Sequence, residues 1–184
     1  DQEAIAEVIE RAHHRRPISW VFCCAGAAKP GLFLEQDLKD HQQGWQLNYQ
    51  GTVNTLQPAL RLMIRDRVED PRVILIGSTL SCMGLVGYTQ YCPTKMAIKG
   101  LAECLRQELL PHAVGVHCYL VGTIDTPGYK QETDSKPAIT RQIEGAESGD
   151  ISPQARAKAL LAGLQANQFL ITSDWLNDLF RVSV

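Results

Sequence analysis

Ser78, Tyr91 and Lys95 are the residues whose types and spacing could do chemistry. The serine stands thirteen residues before the tyrosine, and the tyrosine stands four residues before the lysine. Positions i and i+4 share a helix face, so the Lys95 ammonium could stabilise the Tyr91 phenolate and lower the pKa of the phenol. A hydroxyl at Ser78 could then hydrogen-bond the same substrate oxygen. This is general acid/base machinery for reducing a ketone or oxidising an alcohol.

The segments around these residues predict a strand that ends just before Ser78 and a helix that begins near Tyr91. Residues 72–77 form a short apolar run that ends in glycine, which is typical of a buried strand. After Lys95, apolar side chains repeat at helical spacing, at Ile98, Leu101, Ala102, Leu105 and Leu109. Ligands of open α/β sheets bind at the carboxyl edge of the strands, which is where the three residues are expected to lie.

Strand and helix patterns alternate along the chain, which predicts one α/β domain over residues 1–184 with a parallel sheet. The strand candidates are residues 18–24, 73–77, 115–121 and 169–172. The helix candidates are residues 2–15, capped by Asp1, residues 41–66, kinked at Pro58, and residues 91–110 and 152–165. Residues 126–151 are polar and predicted as a long loop, either a substrate lid or an ordinary surface excursion.

The composition limits the function classes. The chain has 184 residues, 45% of them hydrophobic, which is enough for one apolar core. A net charge of −2 offers no basic surface for nucleic acid, so no nucleic-acid partner is expected. The six cysteines lack zinc-ligand spacing, so no metal is expected, and they are predicted to be buried, reduced thiols. The five histidines form no hydrolase triad pattern, and no secretory signal or long apolar run occurs.

Four features, in order, resemble the short-chain dehydrogenase/reductase family. They are residues 22–26 (FCCAG), residues 45–48 (WQLN) followed by Gly51, the Ser78/Tyr91/Lys95 set, and residues 121–126 (VGTIDT). Two departures stand out: Cys23 and Cys24 replace the family's usual asparagines, and Val121 replaces its usual proline. Neither departure falls on a residue of the proton transfer.

The resemblance implies a Rossmann-like parallel sheet with helices on both faces, a three-layer αβα fold. No glycine-rich phosphate-binding motif occurs, so the N-terminal βαβ portion of that fold is expected to be absent from this chain. That portion normally holds the residues that distinguish NADPH from NADH. A chain with this beginning is therefore interpreted as the C-terminal portion of the fold.

The family's roles transfer to matching positions here. Tyr91 is implied as the general acid, Lys95 as the group that lowers the phenol pKa and binds the nicotinamide ribose, and Ser78 as the group that polarises the ketone. Thr79 and Ser81 are nearby rivals of Ser78. Asn48 is implied to hold a water that relays protons to Lys95, the alternative being a purely structural asparagine. Cofactor contacts are implied for Ala25, Gly26, Asn48, Tyr91, Lys95, Gly122, Ile124 and Thr126.

Further features resemble the subgroup of the family that reduces 3-ketodihydrosphingosine, particularly its fungal forms. They are Cys23–Gly26, residues 125–129 (DTPGY), residues 135–141 with their Ser-Lys-Pro and Thr-Arg pairs, and residues 169–174 (FLITSD). The subgroup implies NADPH as cofactor, a lipid-like ketone substrate and a place at the cytosolic face of the endoplasmic reticulum. Alternatives are a steroid, retinol or 3-oxoacyl reductase, or a non-catalytic scaffold on the same fold.

Partner contacts are predicted from apolar surfaces. The family commonly forms dimers or tetramers through two long helices, here residues 41–66 and 91–110, which implies a homo-oligomer. The tail carries Trp175, Leu176, Leu179, Phe180 and Val182 at helical spacing. That stripe is predicted to pack on its own domain or on a second subunit, the alternative being peripheral contact with a membrane.

Overall fold

A four-stranded sheet positions the candidate residues. The structure, a computed structural model, describes residues 2–145 and 151–173. Its strands run parallel and are ordered as in the sequence: β1 (Trp20–Cys23), β2 (Arg72–Ile76), β3 (Gly115–Leu120) and β4 (Leu170–Thr172). All four predicted strands are confirmed, with ends that differ by one or two residues.

The predicted helices are also present. They are α1 (Gln2–Arg15), α2 (Leu38–Trp45), α3 (Gly51–Arg65), α4 (Cys92–Glu108) and α7 (Pro153–Gln165). Of these, α1 has the predicted bounds and the others have changed boundaries. The helix predicted over residues 41–66 is divided by a π-helical turn at Gln46–Gln50 that joins α2 to α3. Pro58 lies inside α3 and does not end it.

Alternating side chains of the strands fill two cores, one on each face of the sheet. Val73 and Leu75 of β2 pack with Met63 of α3 and Ile98 of α4. Ile74 points to the opposite face, where Leu164 of α7 and Ile171 of β4 cover it. The period of two in β2 therefore places helices on both faces, and the three-layer αβα architecture is confirmed.

Most of residues 127–144 are helical, so the prediction of a loop there was wrong. They form α5 (Pro127–Ser135) and α6 (Ala138–Glu144), called here the α5–α6 segment. Thr126 caps α5 by accepting a hydrogen bond from the Tyr129 amide at 3.1 Å, and Pro127 occupies the first helical position. Gly145 ends α6 at φ +64°. The turn-forming residues thus flank the helices instead of interrupting them; residues 146–150 lie outside the described part.

The predicted Asp1 cap and the apolar tail stripe from Trp175 to Val182 also lie outside the described residues. Among residues 2–145 and 151–173, no helix is long and apolar enough to cross a membrane, and no cluster of His, Cys, Asp or Glu could hold a metal ion. All six cysteines are free. Cys24 and Cys104 are exposed, which corrects the prediction of uniformly buried thiols: the strand ends before Cys24, and Cys104 lies on the outer face of α4.

Candidate active site

Ser78, Tyr91 and Lys95 line one cleft of about 1080 Å³ at the carboxyl edge of the sheet. Ser78 follows β2, and Tyr91 caps the N-terminus of α4, which contains Lys95. The three residues meet because the end of β2 and the beginning of α4 lie at the same sheet edge. The geometry that their spacing predicts is therefore present.

Ser78 begins a one-turn 3₁₀ helix, Thr79–Ser81, and its hydroxyl faces the cleft. Its side chain accepts a hydrogen bond from the Leu80 amide at 3.2 Å, and its own amide donates to Ser81 Oγ at 3.0 Å. Ser81 is buried and does not line the cleft, whereas Thr79 does. Of the two rivals to Ser78, only Thr79 therefore reaches the candidate site.

Tyr91 is half-buried as a residue, and its hydroxyl is enclosed by the cleft walls. Burial raises the pKa of the phenol above its usual value, while a hydrogen bond with the Ser78 side chain lowers it by a smaller amount. The sequence predicts a lowered pKa, so the direction differs. The reason is that desolvation of the phenolate outweighs the hydrogen bond with Ser78, and Lys95, predicted to lower this pKa, is not among the groups that shift it.

Lys95 is buried, and burial lowers the pKa of its ammonium to about 8. Its Nζ donates a hydrogen bond to the Ile76 carbonyl at 2.8 Å and lies 5.6 Å from the centroid of the Tyr91 ring. The ammonium is thus held by the end of β2, next to the ring of Tyr91. A polar group that enters the cleft next to Tyr91 can therefore reach the Lys95 ammonium.

Asn48 lies in the π-helical turn and is only 1% exposed. Its Oδ1 accepts from the Ala27 amide at 2.9 Å, and its Nδ2 donates to the Ala27 carbonyl and to Thr94 Oγ1, both at 3.0 Å. The side chain therefore braces the loop after β1 against α4. It lies behind the cleft and is not among the residues that line it.

The residues implied for cofactor contacts divide into two groups. Gly26, Gly122, Ile124 and Thr126 line the cleft, while Ala25 is exposed outside its lining. A methyl group added at Gly26 would lie 3.2 Å from Asn48 Oδ1 and 3.3 Å from Lys95 Nζ. The bare backbone at Gly26 therefore leaves space next to Asn48 Oδ1 and Lys95 Nζ, where a hydroxyl-bearing group such as the ribose of a bound dinucleotide would fit.

Sequence reasoning missed a mixed-charge cluster in the lining of the same cleft, formed by Tyr88, Glu132, Lys136 and Glu144. The Tyr88 hydroxyl donates to Glu132 Oε1 at 2.5 Å and lies 3.1 Å from Glu144 Oε1. Lys136 Nζ donates to Glu144 Oε2 at 2.8 Å and lies 3.7 Å from Glu132 Oε1. The signal that could have found part of it is the i, i+4 pair of Glu132 and Lys136.

The charges of this cluster are coupled. Burial raises the pKa of Glu132, and burial followed by the hydrogen bond to Glu132 raises that of Tyr88. Burial by itself lowers the pKa of Lys136, but the contacts with Glu144 and Glu132 together raise it by more. The pKa of Lys136 therefore lies above its usual value. The negative charge of Glu132 also raises the pKa of Tyr91. The cluster and the candidate acid therefore act on each other electrostatically.

Comparison with known proteins identifies the family. The sequence profile of the short-chain dehydrogenases matches residues 1–137. The chain belongs to the short-chain dehydrogenase family. Among curated relatives, 3-ketodihydrosphingosine reductase of Dictyostelium discoideum is 34% identical over 173 residues, which cover 94% of this chain and 51% of that protein. The 3-dehydrosphinganine reductase of Danio rerio is 31% identical, covering 88% and 48%.

The chain thus spans about half the length of the curated relatives that it matches. Solved structures agree on the fold. A short-chain dehydrogenase from Burkholderia cenocepacia in complex with NADP has a TM-score of 0.81 at 21% identity, covering 100% of this chain and 71% of that one. A short-chain dehydrogenase from Sphingobium yanoikuyae in complex with NADPH has a TM-score of 0.76 at 18% identity, covering 91% and 62%.

Proposed function

We propose that the full-length protein reduces 3-ketodihydrosphingosine to dihydrosphingosine with NADPH, and that Tyr91 is the general acid. The observation that carries this proposal is the convergence of Ser78, Tyr91 and Lys95 in one cleft of a short-chain dehydrogenase fold. The substrate is supported by relatives at 31–34% identity that are named reductases of this ketone. The choice of NADPH is supported by similar structures in complex with NADP or NADPH.

The chain's own residues supply the proton chemistry. When bound, NADPH supplies the hydride. Burial raises the pKa of Tyr91, so the phenol carries its proton at neutral pH and can donate it to the substrate oxygen as negative charge develops there. The Ser78 hydroxyl, hydrogen-bonded to the phenol, polarises that oxygen. Lys95 Nζ, 5.6 Å from the centroid of the Tyr91 ring, places a positive charge beside that ring.

The lining of the cleft suits a long apolar ketone. Its lining includes a set of apolar side chains beside the polar site, namely Leu80, Met83, Leu85, Ile124 and Ile143. The last of these belongs to the α5–α6 segment, which also contributes Tyr129 and Glu132 to the lining. The α5–α6 segment therefore covers one side of the cleft, and its proposed role is that of a substrate lid.

The location and assembly of the protein are further parts of the proposal. A lipid-dissolved substrate favours a place at the cytosolic face of the endoplasmic reticulum, with peripheral membrane contact. Trp45, Leu47 and Met96 are large apolar side chains that are 40–44% exposed along α2, the π turn and α4. They favour association of these helices with a second subunit, as a homodimer or homotetramer.

The test is Tyr91→Phe in the full-length protein, measured by NADPH consumption with 3-ketodihydrosphingosine in detergent. Loss of the acid is expected to lower kcat by at least about 100-fold. The matched control is Tyr49→Phe, because Tyr49 is half-buried outside the cleft. A Tyr91→Phe variant within about tenfold of the wild type would contradict the assigned acid. Activity on a steroid ketone, on retinal or on a 3-oxoacyl substrate alone would keep the mechanism and reject the substrate. Binding of neither NADPH nor ketone would support a scaffold.

A further inference from the structure

The mixed-charge cluster has one more negative charge than positive charges when both glutamates are ionised. Lys136 is 3% exposed and is the cation within the cluster. Its Nζ lies at 2.8 Å from Glu144 but at 3.7 Å from Glu132. The positive charge of Lys136 therefore neutralises Glu144 more than it neutralises Glu132.

The hydrogen bonds of the cluster leave Glu132 with acceptor capacity. A phenol has one proton, and Tyr88 directs it to Glu132 Oε1. An ionised carboxylate offers about four lone-pair directions, and the described contacts of the Glu132 carboxylate involve Oε1. A cation with several N–H donors that enters the cleft would find an acceptor here.

Glu132 is also placed to act on the reacting end of a substrate. It lines the same cleft as Tyr91, and its charge raises the pKa of that phenol. Tyr88 joins the two residues, because its hydroxyl donates to Glu132 Oε1 and its ring centroid lies 6.0 Å from that of Tyr91. A positive group held by Glu132 would therefore lie near the carbonyl.

We propose that Glu132 binds the ammonium group of an α-amino ketone and so selects amino ketones over neutral ones. This inference rests on the proposed function, because 3-ketodihydrosphingosine carries a primary amine on the carbon next to its ketone. The ammonium donates to the free lone pairs of Glu132 and balances the charge of the cluster. Glu144, which already pairs with Lys136, holds the cluster together and does not contact the substrate.

The test compares two ketones that differ only in the amine. The full-length protein is assayed with 3-ketodihydrosphingosine and with 1-hydroxyoctadecan-3-one, in which hydrogen replaces the amino group. We expect Glu132→Gln to lower kcat/KM at least about tenfold more for the amino ketone than for the neutral ketone, with the difference arising mainly in KM. Any change that follows from the altered pKa of Tyr91 is shared by both ketones and cancels in this ratio. Asp134→Asn is the matched control, since it removes an exposed carboxylate of α5 that does not line the cleft.

Equal losses with both ketones would overturn the inference and leave the proposed function standing. No turnover of either ketone by the wild type would reject the proposed function, and a binding measurement then decides the inference. Dodecylamine is expected to raise the melting temperature of the wild type more than dodecanol does, and Glu132→Gln should abolish that difference. A difference that persists in Glu132→Gln would place the amine elsewhere.

Discussion

Burial drives Tyr91 and Lys95 toward their uncharged forms. A phenol is uncharged when protonated, so burial raises the pKa of Tyr91; an ammonium is charged when protonated, so burial lowers the pKa of Lys95 to about 8. At neutral pH the pair therefore consists of a protonated acid and a mostly protonated lysine. For the proposed reduction, the favourable charge of Lys95 is lost as the pH rises through about 8.

Replacement of Lys95 by Met is expected to raise stability and abolish activity. In the folded state the ammonium titrates near 8, but in the unfolded chain near its ordinary value of 10.5. Below pH 8 the protein must keep a buried charge, which costs on the order of 1–3 kcal/mol of the free energy of unfolding. The variant lacks that cost, although it also loses the hydrogen bond to the Ile76 carbonyl.

The stability difference between Lys95→Met and the wild type depends on pH, and denaturant unfolding of the full-length protein without cofactor can measure that dependence. Between pH 8 and 10.5 the unfolded wild type binds more protons than the folded state, so the wild type gains stability as pH rises. The advantage of Lys95→Met should thus be largest below pH 8 and shrink toward pH 10.5. A difference that stays constant with pH would show that the folded ammonium titrates normally.

Residue types and spacing predicted which side chains meet in the cleft, because strand ends and helix starts share one sheet edge. Spacing does not measure burial, however, so it could not predict that the pKa of Tyr91 is raised. It also could not place Asn48 behind the cleft. That position depends on hydrogen bonds to Ala27 and Thr94, which lie 21 residues before and 46 residues after it in the chain.

At the scale of elements, α2 and the segment before α4 approach closely at Gly44. A methyl group at Gly44 would lie 1.6 Å from Gln90 Nε2. Gln90 is buried and joins two neighbours: its Oε1 accepts from the Lys29 amide at 3.1 Å, and its Nε2 donates to the Asp40 carbonyl at 3.2 Å. The glycine therefore permits a side chain that ties α2 to the loop after β1.

Gly44→Ala is expected to lower the free energy of unfolding by roughly 2–4 kcal/mol, because the displaced Gln90 leaves polar groups without partners. The matched control is Gly100→Ala in α4, where an added methyl group would meet no atom within 4 Å. That change should stabilise by about 0.5–1 kcal/mol, the usual gain of alanine over glycine in a helix. Urea unfolding of both variants measures the contrast. Equal effects would show that Gln90 can move away freely.

Helices and strands were predicted correctly where apolar side chains repeat at a regular spacing. The prediction was wrong where residues typical of turns lie at helix ends. α1 has the predicted bounds because its apolar stripe is uninterrupted. The α5–α6 segment was predicted as a loop because its sequence is polar. Its residues that often form turns, Pro127, Pro137 and Gly145, each lie at a helix boundary. The π-helical turn around Asn48 inserts one extra residue into a continuous helix, which an apolar pattern of period 3.6 does not reveal.

At the scale of the whole molecule, the α5–α6 segment docks on the body through the residues just before α4. Tyr88 faces Glu132 and Glu144, and the buried Thr140 donates its hydroxyl to the Val86 carbonyl at 2.9 Å. Gly87, between them, has φ +85°, and a methyl group there would lie 2.5 Å from Thr140 Oγ1. The contact joins residues more than 40 positions apart, so local sequence patterns could not predict it.

Thr140→Val is expected to loosen this docking without weakening the sheet. Valine keeps the shape of threonine but leaves the Val86 carbonyl without its donor, at a cost of roughly 1–2 kcal/mol. The lost hydrogen bond weakens only the docking of the α5–α6 segment, so opening of that segment becomes easier by this free energy. Amide hydrogen exchange over residues 127–144 should therefore accelerate about fivefold to thirtyfold. Exchange in β2 and β3 should not change.

Thr133→Val provides the matched control for this measurement. Its hydroxyl donates to the Tyr129 carbonyl within α5 at 2.8 Å, so its loss removes a hydrogen bond but none that joins the segment to the body. Exchange in Thr133→Val should therefore change little beyond α5. Equal acceleration in α6 for both variants would show that the segment opens by helix fraying. Faster exchange throughout the sheet of Thr140→Val would show that the segment and the body unfold as one cooperative unit, and a lid that opens independently would then be excluded.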